Sequence, residues 1–92
     1  MKVIKSDGRR NYFKQGFTTI IEFDGTLRDR RMRSRATDYF RARFGLTFDS
    51  YILPQSNENW RTQFYSGQRR KSKIYLRDEA EVTLMLLTLD VA

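Results

Sequence analysis

Residues 27–45, LRDRRMRSRATDYFRARFG, decide how this chain is read. Met32, Ala36, Tyr39, Phe40 and Phe44 fall at offsets of 4, 7, 8 and 12 from the first of them. Those offsets put the five side chains on one stripe of a 3.6-residue period. Thr26 fits an N-cap, with Asp29 three positions on as the acid of a capping-box analogue. Gly45 suits the position just past a helix end. The spacing therefore predicts a helix over 27–44. The same stretch holds seven arginines against two aspartates, an excess that local ion pairs cannot neutralise.

Upstream of the helix, residues 17–23 (FTTIIEF) are β-branched and aromatic and read as a strand. Alternation puts Phe17, Thr19, Ile21 and Phe23 on one face and Thr18, Ile20 and Glu22 on the other. Asp24-Gly25 turns the chain into the helix. Residues 1–16 read as either a hairpin, with a short strand at 2–5 and a turn at Asp7-Gly8, or a flexible basic arm.

Downstream, residues 46–53 read as a strand stopped by Pro54, the only proline. The stretch from Pro54 to Asn59 (PQSNEN) is the best loop. Residues 60–65 and 71–77 read as two strands of a hairpin with a basic tip. Asp78 then caps a last helix, with Glu81 three residues on and a buried stripe of Val82, Met85, Leu86 and Leu89. The acids of this segment crowd its N-terminal end, where the helix dipole favours them. The element order is (β)-β-α-β-β-β-α. It predicts an α+β two-layer sandwich, a mainly antiparallel sheet of four or five strands with two helices on one face. The other sheet face is expected to stay partly wet.

The 92 residues point to a single domain over 1–92. A 39% hydrophobic and 14% aromatic composition is enough for a folded core. The formal charge is +7, with a pI near 10.1. It is unevenly spread: residues 1–77 hold all 18 cations against seven acids, and residues 78–92 hold four acids and no cation. Such a field attracts polyanions and opposes self-association. Arginine outnumbers lysine 13 to 5. Arginine suits bidentate phosphate and carboxylate contacts, although a GC-rich genome alone also enriches it.

The composition excludes several classes. There is no Cys and no His, so disulfides, thiolate chemistry and the usual general base and metal ligand are lacking. No phosphate-loop glycine pattern and no nucleophile beside a base is present. Glu22, Asp24 and Asp49 could in principle gather around magnesium, but Asp24 is better explained by its turn. A non-catalytic protein without cofactor is expected. No signal-like or bilayer-length apolar run occurs, which points to a soluble, intracellular and by default cytoplasmic protein without membrane contacts.

Three places could carry function. On the helix, Arg30, Arg33 and Arg41 are expected to project opposite the apolar stripe, with Arg28, Arg31 and Arg35 on a flank. They could track a phosphate backbone, which positions a protein without reading sequence. The plainer alternative is a solvated face with ion pairs from Asp29 to Arg33 and from Asp38 to Arg35 or Arg41. On the sheet, Arg61, Gln63, Tyr65, Lys73, Tyr75 and Arg77 are expected on the open face, with Tyr51 from the preceding strand. Interleaved cations and aromatics suit single-stranded nucleic acid, while cross-strand packing accounts for them equally well. At the hairpin tip, Arg69, Arg70, Lys71 and Lys73 could grip phosphates, as could Arg9, Arg10 and Lys14 near the start.

The expected function is a nucleic-acid-binding module, with the kind of nucleic acid left open. The alternative is a small protein-binding module that docks on an acidic protein surface, such as a viral inhibitor of a host enzyme. Tyr, Trp, Met and Arg are the residues that interfaces favour.

Overall fold

In a computed structural model of the chain, the structure describes residues 1–6, 8, 13, 16–45, 57–65 and 71–89. The order is β1 (Lys2–Lys5), β2 (Thr19–Phe23), α1 (Leu27–Phe44), β3 (Trp60–Gln63), β4 (Ser72–Leu76) and α2 (Glu79–Thr88). The four strands form one sheet in the order β1-β2-β4-β3, and every neighbouring pair is antiparallel. The class is α+β, as the order of sequence patterns predicts. Residues 46–53, read as a strand, lie outside the described residues. The return strand of the hairpin expected over residues 1–16 falls mostly outside the described residues, while Lys2–Lys5 is itself a strand. Lys2–Lys5 is an edge strand on β2, with Val3 opposite Ile21 and Ile4 opposite Ile20.

The helices cover one sheet face. Ile21, Phe23, Trp60, Ile74 and Leu76 meet Ala36 and Phe40 of α1 and Val82 and Met85 of α2 in one core. Met32, Tyr39, Phe44, Leu86 and Leu89 pack around it. Both predicted helical stripes are thus buried where the periodicity puts them. Phe40 is the hub of the aromatic packing, 5.1 Å from the Tyr39 ring centre, 6.1 Å from Phe44 and 5.8 Å from Trp60. Burying a side chain of this size contributes about 1.5–3 kcal/mol.

The start of α1 departs from a simple capping box. The Asp29 N–H donates to the Thr26 hydroxyl at 3.2 Å, as expected of an N-cap. The Asp29 carboxylate, however, reaches past Thr26 and accepts from the Asp24 N–H at 2.9 Å and from the Met1 ammonium at 2.6 Å. Asp24 in turn accepts from both the Thr26 N–H and its hydroxyl. Those two bonds, the hydroxyl's first, hold the Asp24 carboxyl below its ordinary value of 3.8.

The end of α1 is equally well bound. Gly45, at φ 91°, donates its N–H to the Arg41 carbonyl at 2.9 Å. A side chain at that φ would be strained. Asn57 then donates to the Phe44 carbonyl at 2.8 Å, and the Trp60 indole N–H donates to the Gly45 carbonyl at 2.9 Å. Asp78 caps α2 through the Ala80 N–H at 2.6 Å. Glu81, expected to complete a box there, instead receives Arg43 of α1.

The second sheet face is partly wet, as expected from helices on one side, at the half-buried Glu22, Lys73 and Gln63, but its other part is covered. Phe17, Ile20 and Tyr75 form a second buried cluster with Ile4 packed against it. Phe17 does not share a face with Ile21 as simple alternation suggests, because β2 starts only at Thr19. Gly16, at φ 93°, precedes it, and a Cβ there would lie 2.5 Å from Arg77 Nη1.

Candidate nucleic-acid interface

The predicted contact residues separate into four environments. Arg28, Arg30, Arg31 and Arg41 are exposed on α1. Among the described residues, none of the four makes an ion pair or a side-chain hydrogen bond. Asp38 is the one acid exposed on the same helix. Each guanidinium on this side therefore offers its full fork of donors to a partner. Helix geometry sets the Cα positions of Arg30 and Arg41 about 16 Å apart along the axis.

Three other arginines of α1 are committed within the fold. Arg33 does not project opposite the apolar stripe as expected. It is half-buried, donates from Nη1 to the Ser72 hydroxyl at 2.9 Å and lies 4.8 Å over the Phe64 ring. Its position lies close enough to the stripe for a long side chain to reach back onto the sheet. Arg35 donates to the Leu89 carbonyl at 2.8 Å, closing the end of α2. Arg43 binds Glu81 through Nε at 2.9 Å and Nη2 at 3.4 Å, and the carboxylate raises its pKa further. The local pair expected between Asp29 and Arg33 does not form, because Asp29 is buried under Met1 and Asp24.

The sheet patch is corrected by burial. Tyr75 is only 2% exposed and Arg61 6%. The Tyr75 hydroxyl donates to Gln63 at 2.8 Å. Arg61 donates to the Trp60 carbonyl at 3.2 Å and lies 4.9 Å from the Phe17 ring centre. Neither is available to stack on a base. Arg77 is exposed, but its guanidinium lies 4.7 Å over the same ring and donates to the Glu58 carbonyl. Lys73 is half-buried, between Glu22 and Gln63 on the neighbouring strands. Tyr65 is half-buried, with its N–H on the Ser72 hydroxyl at 2.9 Å.

Lys71 is exposed at the start of β4, with its ammonium 3.5 Å from Glu22. Arg69 and Arg70, together with Tyr51, Arg9, Arg10 and Lys14, lie outside the described residues. Of the carboxylates weighed for magnesium, Glu22 faces Lys71, Asp24 holds Thr26, and Asp49 lies outside the described residues. No described helix is long and apolar enough to cross a membrane.

One feature of the surface has no counterpart in the sequence reading. Leu27, the first residue of α1, is 63% exposed, and an open hollow of about 1050 Å3 lies beside it, between the start of α1 and Leu86 of α2. The pairing of two distant helix ends that makes this hollow carries no local sequence signal. Comparison with protein-family models, with curated proteins and with solved structures finds no match for the chain.

Proposed function

We propose that this protein is a non-catalytic nucleic-acid-binding module that grips phosphates through the solvent side of α1. The observation that carries this reading is the set of four exposed arginines, Arg28, Arg30, Arg31 and Arg41, that the fold leaves uncommitted. Folding has already used Arg33, Arg35 and Arg43, so the remaining four are surplus to stability. Cations spread over the exposed side of a helix, without base-reading amides, favour backbone contact over sequence recognition. The basic residues of the β3–β4 connection, Arg69, Arg70 and Lys71, extend the same reading. The sheet face is left out of it because Arg61 and Tyr75 are buried.

Binding of this kind depends steeply on salt. Four phosphate contacts on duplex DNA give a slope of about −3.6 in log affinity against log salt. The test is a salt titration with labelled single-stranded DNA, duplex DNA and RNA. Arg30→Ala and Arg41→Ala are each expected to weaken binding on every sequence and to flatten the slope by about one unit. Negligible binding to all three probes at low salt overturns the reading.

A further inference from the structure

The hollow at the start of α1 is lined by aliphatic side chains and by arginines. Leu27 and Met32 of α1 and Leu86 of α2 supply the apolar part of the lining, and Arg28, Arg31 and Arg35 the cationic part. The three arginines recur at i, i+3 and i+7, which aligns them along one flank of the helix. Over seven residues they cover about 10 Å. Arg28 and Arg31 are uncommitted, and Arg35 spends one Nη on the Leu89 carbonyl.

The two acids that also border the hollow offset only part of this charge. Asp29 is 6% exposed and already holds the Met1 ammonium and the Asp24 N–H. Asp24 holds Thr26. What faces an incoming ligand is a mixed apolar and net cationic lining, with three guanidinium groups and the Asp24 carboxylate.

Two kinds of ligand carry negative charge beside apolar surface: a nucleic-acid strand and an acidic, amphipathic protein segment. The lining separates them. Unpaired bases are held by stacking on aromatic rings, and among the described residues no aromatic side chain lines the hollow. Leucine and methionine linings accommodate aliphatic or aromatic anchors from a helix laid in a groove. Arginine in the lining pairs bidentately with carboxylates. Leu27, at the first position of the helix, is exposed among the described residues.

We infer that this groove docks an acidic, amphipathic segment of a partner protein, with an apolar anchor on Leu27, Met32 and Leu86 and carboxylates on Arg28, Arg31 and Arg35. The inference stands apart from the nucleic-acid reading and shares only Arg28 and Arg31 with it. Such a partner and nucleic acid would compete at those two residues and nowhere else on α1.

The test is fluorescence anisotropy with a labelled synthetic peptide that carries leucines at helical spacing among glutamates. A peptide of the same composition with its leucines dispersed, and an all-glutamate peptide, serve as controls. The amphipathic peptide is expected to bind the full chain more tightly than either. Leu27→Ser, at an exposed position, is expected to weaken it by at least about five-fold while leaving nucleic-acid affinity unchanged. Arg28→Ala is expected to weaken both ligands. Equal binding of the all-glutamate peptide, or no effect of Leu27→Ser on the amphipathic one, overturns the inference. So does a loss of RNA affinity in Leu27→Ser, which would make the groove a nucleic-acid site. Peptide binding that persists while all nucleic-acid binding is absent overturns the proposed function alone.

Discussion

The Asn57 side chain ends a helix that lies thirteen positions before it, donating at 2.8 Å to the Phe44 carbonyl. Its carbonyl oxygen accepts from the Asn59 N–H at 2.8 Å and the Trp60 N–H at 3.3 Å, so the same amide also starts β3. Asn57 is 8% exposed. Asn57→Ala would leave buried backbone groups without partners at both ends. The expected loss is about 1–3 kcal/mol, read from urea unfolding with an unchanged m-value.

Tyr75 distinguishes packing from recognition on the second sheet face. Its ring is buried and its hydroxyl serves Gln63. Tyr75→Phe is expected to lower stability by about 0.5–1.5 kcal/mol. Affinity for single-stranded DNA and RNA should not change at a temperature where the variant stays folded. A weakened affinity without a stability change would restore this face as a binding surface.

Arg33 and its neighbours on α1 should behave as two groups. Arg33 is tied to Ser72 and Phe64, so Arg33→Ala is expected to cost about 1–2 kcal/mol of stability. It should leave the salt dependence of nucleic-acid binding nearly as it is. Arg30→Ala and Arg41→Ala should do the reverse, with melting temperatures close to the parent and a flatter salt slope. A matched set of thermal melts and salt titrations checks both halves.

Asp24 gives the acid limb of stability a defined sign. Its carboxyl is held below 3.8 by the Thr26 hydroxyl and N–H in the folded state. The stabilisation is therefore complete above the unfolded value and is lost as pH falls through the lower folded one. Asp24→Asn should flatten the fall of melting temperature between about pH 5 and pH 2. A curve parallel to that of the parent would show that Asp24 takes no part.

Much of the fold is legible in local pattern. The stripe from Met32 to Phe44, the Thr26 cap and the Gly45 stop all report on a helix and its nearest neighbours. Each works within a turn or two of chain, and the structure places each as the spacing predicts. Arg61 and Tyr75 were not legible in the same way. Alternation fixes which face of a strand they share, but whether that face is covered depends on Phe17 and Ile4, which come from elsewhere in the chain. Arg33 carries the same lesson on the helix. A charged residue near the edge of an apolar stripe points outward by hydropathy, yet a hydroxyl and a ring on the sheet turn it inward. The four uncommitted arginines could be recognised only after the other three had been placed. The groove beside Leu27 needs two helix ends that sequence does not pair.

Gly45 and Asn57 also set how this chain can change in length. The backbone leaves α1 at Gly45 and returns at Asn57, and three hydrogen bonds from Asn57 and Trp60 to the Phe44 and Gly45 carbonyls join the departure to the return. Among the described residues, Asn57 and Trp60 on one side and Phe44 and Gly45 on the other make this anchorage. Doubling the length of such a tethered segment adds only about 0.6 kcal/mol of closure entropy. Closing the chain at this junction is therefore the work of a clasp of side chains at its two ends.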